Sequence, residues 1–133
     1  MHKLLTIFLL FLTVSISYAQ DSLKTPEETV NKFYSLISQQ TDDSINQAYT
    51  MFNPNYCILD EPTFKHIAMS YDKNMVVEII DATIKKNYAI VRIKCTVPSS
   101  FGGGMEVLSE VHMIKDKKTG KWEISQTTNH EEL

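Results

Sequence analysis

An α+β fold, with N-terminal helices packed on a curved four-stranded antiparallel meander, is what three features of this sequence predict. The first is the alternation of apolar and polar residues over 88–97 and again over 105–115, broken by a Pro-Ser-Ser-Phe-Gly-Gly-Gly turn. The second is a similar run over 75–84, ahead of a Lys85-Lys86-Asn87 turn. The third is order: two capped amphipathic segments and a shorter third precede every strand-like run, which favours segregated layers over an alternating parallel sheet.

The register follows from the same alternation. A hairpin centred on Phe101 sets Val91 beside Val111, Cys95 beside Val107 and Val97 beside Met105 on one face, with Arg92 beside Glu110 on the other. Pairing across residues 85–87 places Glu78 by Lys94, Ile79 by Ile93, Val77 by Cys95 and Asp81 by Val91, with Asn87 taking the left-handed turn position. After a charged turn, Trp122, Ile124 and Gln126 join the core face.

Composition sets limits on function. With 43% hydrophobic and 22% charged residues the chain reads as one globular domain, and a net charge of -3 with scattered Lys and Arg gives no footprint for nucleic acid. Residues 1–19 read as a signal peptide: Lys3 provides the positive start, residues 4–14 are apolar but short for a bilayer, and Ser17-Tyr18-Ala19 puts small residues where a signal peptidase reads. Cleavage after Ala19 predicts an exported protein, periplasmic or extracellular, with no membrane span left afterwards. The residue directly after that point is Gln20 and not a cysteine, which argues against a lipid anchor.

Residues 20–24 form a polar leader. Thr25-Pro26-Glu27-Glu28 predicts a helix N-terminus, with Thr25 as cap, Pro26 at the first helical position and the stripe Val30, Phe33, Tyr34, Ile37 buried. Asp42 or Asp43 is expected to cap a second helix with Ile45, Ala48, Tyr49 and Phe52 inward, ended by Asn53-Pro54. A third helix from about Pro62 would bury Phe64, Ile67, Ala68 and Tyr71. Residues 129–133 read as a polar tail.

The segments Thr25-Pro26-Glu27-Glu28-Thr29-Val30-Asn31-Lys32-Phe33-Tyr34, Ala48-Tyr49, Asn87-Tyr88-Ala89-Ile90-Val91-Arg92-Ile93 and Gly120-Lys121-Trp122-Glu123-Ile124 together resemble the nuclear transport factor 2-like (cystatin-like) superfamily, closest to small secreted bacterial domains of unknown function. The resemblance spans residues 25–128 and implies a cone-shaped fold with a pocket between helices and sheet. Its relatives include isomerases, dehydratases and non-catalytic binding domains, so it implies fold more than chemistry.

On the predicted register, Asp81, Thr83, Ser109, Gln126 and Thr128 share the core side of the sheet. Tyr34, Tyr49, Asp81, Ser109, Gln126 and Trp122 are therefore the expected pocket residues. A desolvated Asp81 beside Tyr34 or Tyr49 would be the one candidate acid/base of an isomerase or dehydratase. No second acid or histidine accompanies it, so a non-catalytic binding role, for a small apolar ligand or a protein partner, is the leading expectation. The outer-face residues Ile80, Ala82, Ile84, Tyr88, Ile90 and Ile114 are apolar enough for a partner or homodimer interface. An inhibitor or immunity-type role is a third expectation.

Other motifs yield little chemistry. His66, His112 and His130 do not converge on a metal site, no cofactor is called for, and Gly102-Gly103-Gly104 lies between strands and not before a helix as phosphate loops do. Export favours a Cys57–Cys95 disulfide, while a free Cys95 thiol would also pack well in the core; the sequence leaves both open.

Overall fold

The computed structural model describes residues 24–99 and 102–127. The predicted signal peptide, most of the leader, Phe101, Thr128 and the tail lie outside the described residues. Three α-helices are followed by four strands in the order β1-β2-β3-β4, every neighbouring pair antiparallel, as the α+β meander requires.

Helix α1 (Pro26–Gln39) starts where its end groups are satisfied. The Thr25 hydroxyl accepts from the Glu28 amide at 3.2 Å, Pro26 opens the helix, and Glu27 and Glu28 sit in the turn where the helix dipole favours acids. Its buried stripe is Val30, Phe33, Leu36 and Ile37. Gln40 ends it in a left-handed conformation (φ 56°), and its side-chain amide donates to the Ile37 and Ala68 carbonyls.

Helix α2 (Asp42–Tyr49) is capped by Thr41 and not by Asp42 or Asp43, which occupy its first turn. Ser44 decides this. Its amide donates to the Thr41 hydroxyl at 3.1 Å while its own hydroxyl accepts from the Thr41 amide at 3.2 Å, a reciprocal box that neither aspartate position offers. The helix stops before Phe52. That residue instead bridges Ile124, with Asn53 N–H donating to Ile124 O and Ile124 N–H to Met51 O. After a 3₁₀ turn (Pro54–Tyr56), Asp60 caps α3 (Glu61–Met69), which buries Phe64 and Ala68 but leaves Ile67 exposed, and Tyr71, past the end of the helix, is exposed as well.

The strands are β1 (Val76–Lys85), β2 (Tyr88–Pro98), β3 (Gly104–Lys115) and β4 (Trp122–Ser125). The β2–β3 register is the expected one throughout, including Val91 opposite Val111, Cys95 opposite Val107 and Arg92 opposite Glu110. The β1–β2 register is as expected from Val77 to Ile79 and then changes. Ile80 is an extra residue, a β-bulge, after which Asp81 pairs with Arg92, Ala82 with Val91 and Ile84 with Ala89. The bulge also shortens the turn to two residues, and Lys86 rather than Asn87 carries the positive φ, at 35°.

The core lies between the helices and the inner face of the sheet, where Val30, Phe33, Ile37, Ile45 and Phe64 meet Ala89, Val91, Ile93, Met113 and Ile124. Because paired residues share a face, the bulge turns Ala82 and Ile84 toward the helix side and Asp81 and Thr83 away from it. The predicted outer apolar patch is thereby reduced. Tyr88 and Ile90 are half-buried, Ile114 is buried, and Ile80 at the bulge is exposed.

Candidate ligand-binding cleft

The helical layer that covers the inner face of the sheet also leaves an opening beside it. Phe33 on α1 stands edge-on to Phe52 (5.5 Å) and near Phe64 (6.1 Å), and Tyr49 packs on Phe52 and Phe64. This aromatic cluster occupies the centre between the helical layer and the sheet. Next to it runs a cleft of about 210 Å³, walled by Phe33, Tyr34, Phe64, Tyr71, Val111 and Ile124.

The cleft exists because β4 is short. Only His112–Lys115 of β3 pair with it, and at Gln126 the chain turns away, its amide donating to Tyr56 O. Val111 lines the cleft from the inner face of β3, along a stretch that β4 covers only in part, while Glu110 and His112, opposite Arg92 and Ile90 on the outer face, border it. The His112 Nε2 to Glu110 Oε2 distance is 3.3 Å.

Gln126 lines the cleft and holds it in shape. Its side-chain oxygen accepts from the Ile58 and Leu59 amides, the latter at 2.9 Å, which fixes the loop between the 3₁₀ turn and α3. Tyr34 lines the cleft as expected. Its phenol finds no hydrogen-bond partner among the described residues, and burial, with smaller contributions from Cys95 and Tyr71, pushes its pKa above the ordinary tyrosine value. A phenol so held stays neutral and keeps its proton for donation.

The other expected pocket residues go elsewhere. Tyr49 donates to Leu59 O at 2.9 Å and borders a separate shallow depression with Cys57 and Glu123. In that depression burial, then nearby Asp116, raises the Glu123 carboxyl. Trp122 is buried in the core, with the Lys115 ammonium 5.9 Å from its ring centroid. Ser109 lies opposite Ile93 but is exposed, beyond the reach of the helices.

Asp81 is the main correction. It lies on the outer face, where Arg92 Nε donates to Oδ1 at 2.7 Å and a second guanidinium nitrogen donates to Oδ2. The hydrogen bonds from Arg92 lower its pKa, the opposite of the desolvated acid expected, because the extra residue Ile80 flips the side of the sheet it faces. No acid/base group takes its place on the inner row, which is Ala82, Val91 and Val111.

Cys57 and Cys95 are both free thiols. Cys57 Sγ lies 3.3 Å from Leu59 O, while Cys95 sits in β2 between Val77 and Val107. Among the described residues no group of three His, Cys, Asp or Glu could hold a metal ion, and no helix is long and apolar enough to cross a membrane.

Tyr71, which lines the cleft, is the residue that sequence reasoning did not assign to the pocket, whereas Glu110 opposite Arg92 and His112 opposite Ile90 stand where the alternation puts them.

No family model matches the chain, and no curated protein does. Among solved structures, it is similar to the solution structure of a SEC-C motif containing protein from Rhodopseudomonas palustris, with a TM-score of 0.61 and 14% identity over 82% of this chain and 81% of that one. The likeness is one of fold. It overturns the resemblance to the nuclear transport factor 2-like superfamily, since the neighbour is of a different family. The residues that carried that resemblance are a helix cap, a strand and a turn before a tryptophan, which any capped helix lying on a meander can share.

Proposed function

We propose that this chain is an exported, non-catalytic binding domain that holds a small, largely apolar ligand in the cleft between α1, α3 and the end of β4. The observation that carries this reading is the cleft itself: aromatic and aliphatic walls, a Tyr34 hydroxyl with no hydrogen-bond partner among the described residues, and a rim of few polar groups, which is the usual make-up of a ligand site. Its volume of about 210 Å³ equals roughly seven waters at ~30 Å³ each, enough for one or two rings. The signal-like residues 1–19 support export. Asp81, bound to Arg92 on the far face, lends no support to an isomerase or dehydratase.

Saturation-transfer NMR with indole as the probe tests this reading. The full chain should show transfer from the protein to indole, and Val111→Phe, which fills the cleft with a bulkier ring, should abolish it while the protein stays folded. Absence of transfer in the unsubstituted protein would overturn the proposal.

A second reading, a protein partner or second copy on the sheet, is favoured by one feature. In the part of β3 that β4 does not cover, Met105 and Val107 share one face and are 62% and 45% exposed, which is apolar surface of the kind interfaces use. Concentration-dependent light scattering distinguishes it, since a strictly monomeric chain would leave the homodimer without support.

A further inference from the structure

The half of β3 that β4 leaves bare has an open backbone edge as well as open side chains. Ser99 N–H donates to Gly103 O and Lys115 N–H to Asn87 O, so the odd-numbered residues of β3 turn their backbone groups to β2. The even-numbered ones turn theirs the other way, where β4 takes only those of His112 and Ile114. That leaves the N–H and C=O of Gly104, Glu106, Leu108 and Glu110 on an edge with no partner strand among the described residues. Exposed apolar side chains stand on both sides of it: Met105 and Val107 on the inner face, and Leu108, 72% exposed, on the outer. A partner lying on one face would leave the other bare, whereas a strand added to the edge borders both. The sheet's other edge, β1, is guarded by the bulge at Ile80 and by Lys85, while residues 104–110 contain no bulge, Pro or Lys.

We propose that this edge pairs with the same edge of a second copy of the chain, antiparallel and about a two-fold axis through Val107, an inference that narrows the second reading above and does not depend on the cleft. Val107 is the midpoint of the open stretch from Gly104 to Glu110, so self-pairing there uses the whole edge and gives every open N–H a carbonyl. Charge selects the same register. About Val107, Glu106 meets Leu108 of the second copy and Glu110 meets Gly104 of the second copy. An axis through Leu108 would instead set Glu106 against Glu110, and one through Glu106 would set that residue against itself. The chain's own residues 128–133 are the competing occupant. Continuing the β3–β4 register, they would put Glu131 opposite Glu106, and Gln126 N–H is already committed to Tyr56 O.

Site-directed cross-linking of the full chain tests it, in a background carrying Cys57→Ser and Cys95→Ala because Cys95 lies opposite Val107 within one chain. The two copies of Val107 would face each other as a non-hydrogen-bonded pair, about 4.5 Å apart between Cα atoms, which a disulfide spans. Under a mild oxidant Val107→Cys should form a covalent dimer. Met105→Cys and Ser109→Cys should each stay unlinked alone and link when mixed, since Met105 faces Ser109 of the second copy. Leu108→Pro removes an outward N–H that the β2–β3 ladder does not use, so amide protection in β2 should persist while self-association in sedimentation velocity falls about tenfold. Should that variant fail to fold, the cysteine pattern decides alone. A dimer in sedimentation whose Val107→Cys form stays unlinked, or self-linking of Met105→Cys, would overturn the edge register and leave a homodimer standing. A monomeric full chain would overturn both, and dimerisation only after removal of residues 128–133 would give the edge to the tail.

Discussion

The Arg92 guanidinium grips the Asp81 carboxylate through two nitrogens on the face of the sheet turned away from the helices. That pairing depends on the bulge at Ile80, and it removes the one carboxylate on β1 that could have entered the cleft.

The first prediction concerns that pair. The Asp81 carboxyl, held below its ordinary value by hydrogen bonds from Arg92, should titrate lower than a free aspartate in carbon-detected NMR, and Arg92→Leu should bring it back. Because the folded pKa is the depressed one, the stabilising contribution is present above the unfolded value of about 3.9 and is lost as pH falls through the folded value. Both groups are exposed, so Asp81→Asn should shift the melting temperature little and leave ligand binding unchanged. A loss of binding in that variant would place Asp81 in the site after all.

The bulge itself is testable by deletion. Ile79 pairs with Ile93 and Asp81 with Arg92, so β2 has no residue opposite Ile80. Deleting Ile80 should leave both flanking pairings and the fold intact, with the Ile79–Ile93 and Asp81–Arg92 contacts retained in NMR. By contrast, Ile93 is fully buried, and Ile93→Ala should cost about 2–5 kcal/mol in chemical denaturation. Ile80→Ala, at a side chain 48% exposed, should cost under about 0.5 kcal/mol.

Gln126 joins two parts of the chain that are far apart in sequence. Gln126→Ala would leave the Ile58 and Leu59 amides without their acceptor, and a loss of about 1–3 kcal/mol is expected in urea unfolding. Amide exchange should quicken at Leu59 while the β2–β3 amides keep their protection. Uniform loss of protection would mean that Gln126 supports the whole fold and not this loop.

The cysteines give a redox prediction. Both thiols are free, and burial pushes the Cys95 thiol up, which lowers its thiolate fraction. Mass spectrometry after native iodoacetamide labelling should find Cys95 modified slowly, and labelling in denaturant without reductant should find two modified cysteines. A linked peptide containing Cys57 and Cys95 would contradict the arrangement.

What could be read in the sequence follows from where its pattern had one solution. The β2–β3 hairpin alternates without a break, with Ala89, Val91, Ile93 and Cys95 against Tyr88, Arg92 and Lys94, so a one-residue slip would bury charges. In β1 the pattern has two solutions. Ile79, Ile80, Ala82 and Ile84 are all apolar, so the inner phase can shift at Ile80 without burying a charge, and the bulge left no mark in composition. Asp81 was misplaced for that reason. The cap of α2 was hidden by excess, since Thr41, Asp42 and Asp43 are all good caps and only the partner at Ser44 decides among them. The cleft was legible in Tyr34 and Gln126, while its opening beside Val111 depends on where β4 stops, a long-range outcome set by Gln126 bonding to Tyr56 and not to β3.

The most direct test of the binding account is a methyl and amide chemical-shift map of the full chain titrated with 2-phenylethanol, an uncharged probe. The account predicts saturable shifts at Ile37, Ile67, Val111 and Ile124, which line the cleft, and none at Asp81, Thr83 or Glu78 on the outer face. Shifts confined to that outer face, or to Met105 and Leu108, would contradict it.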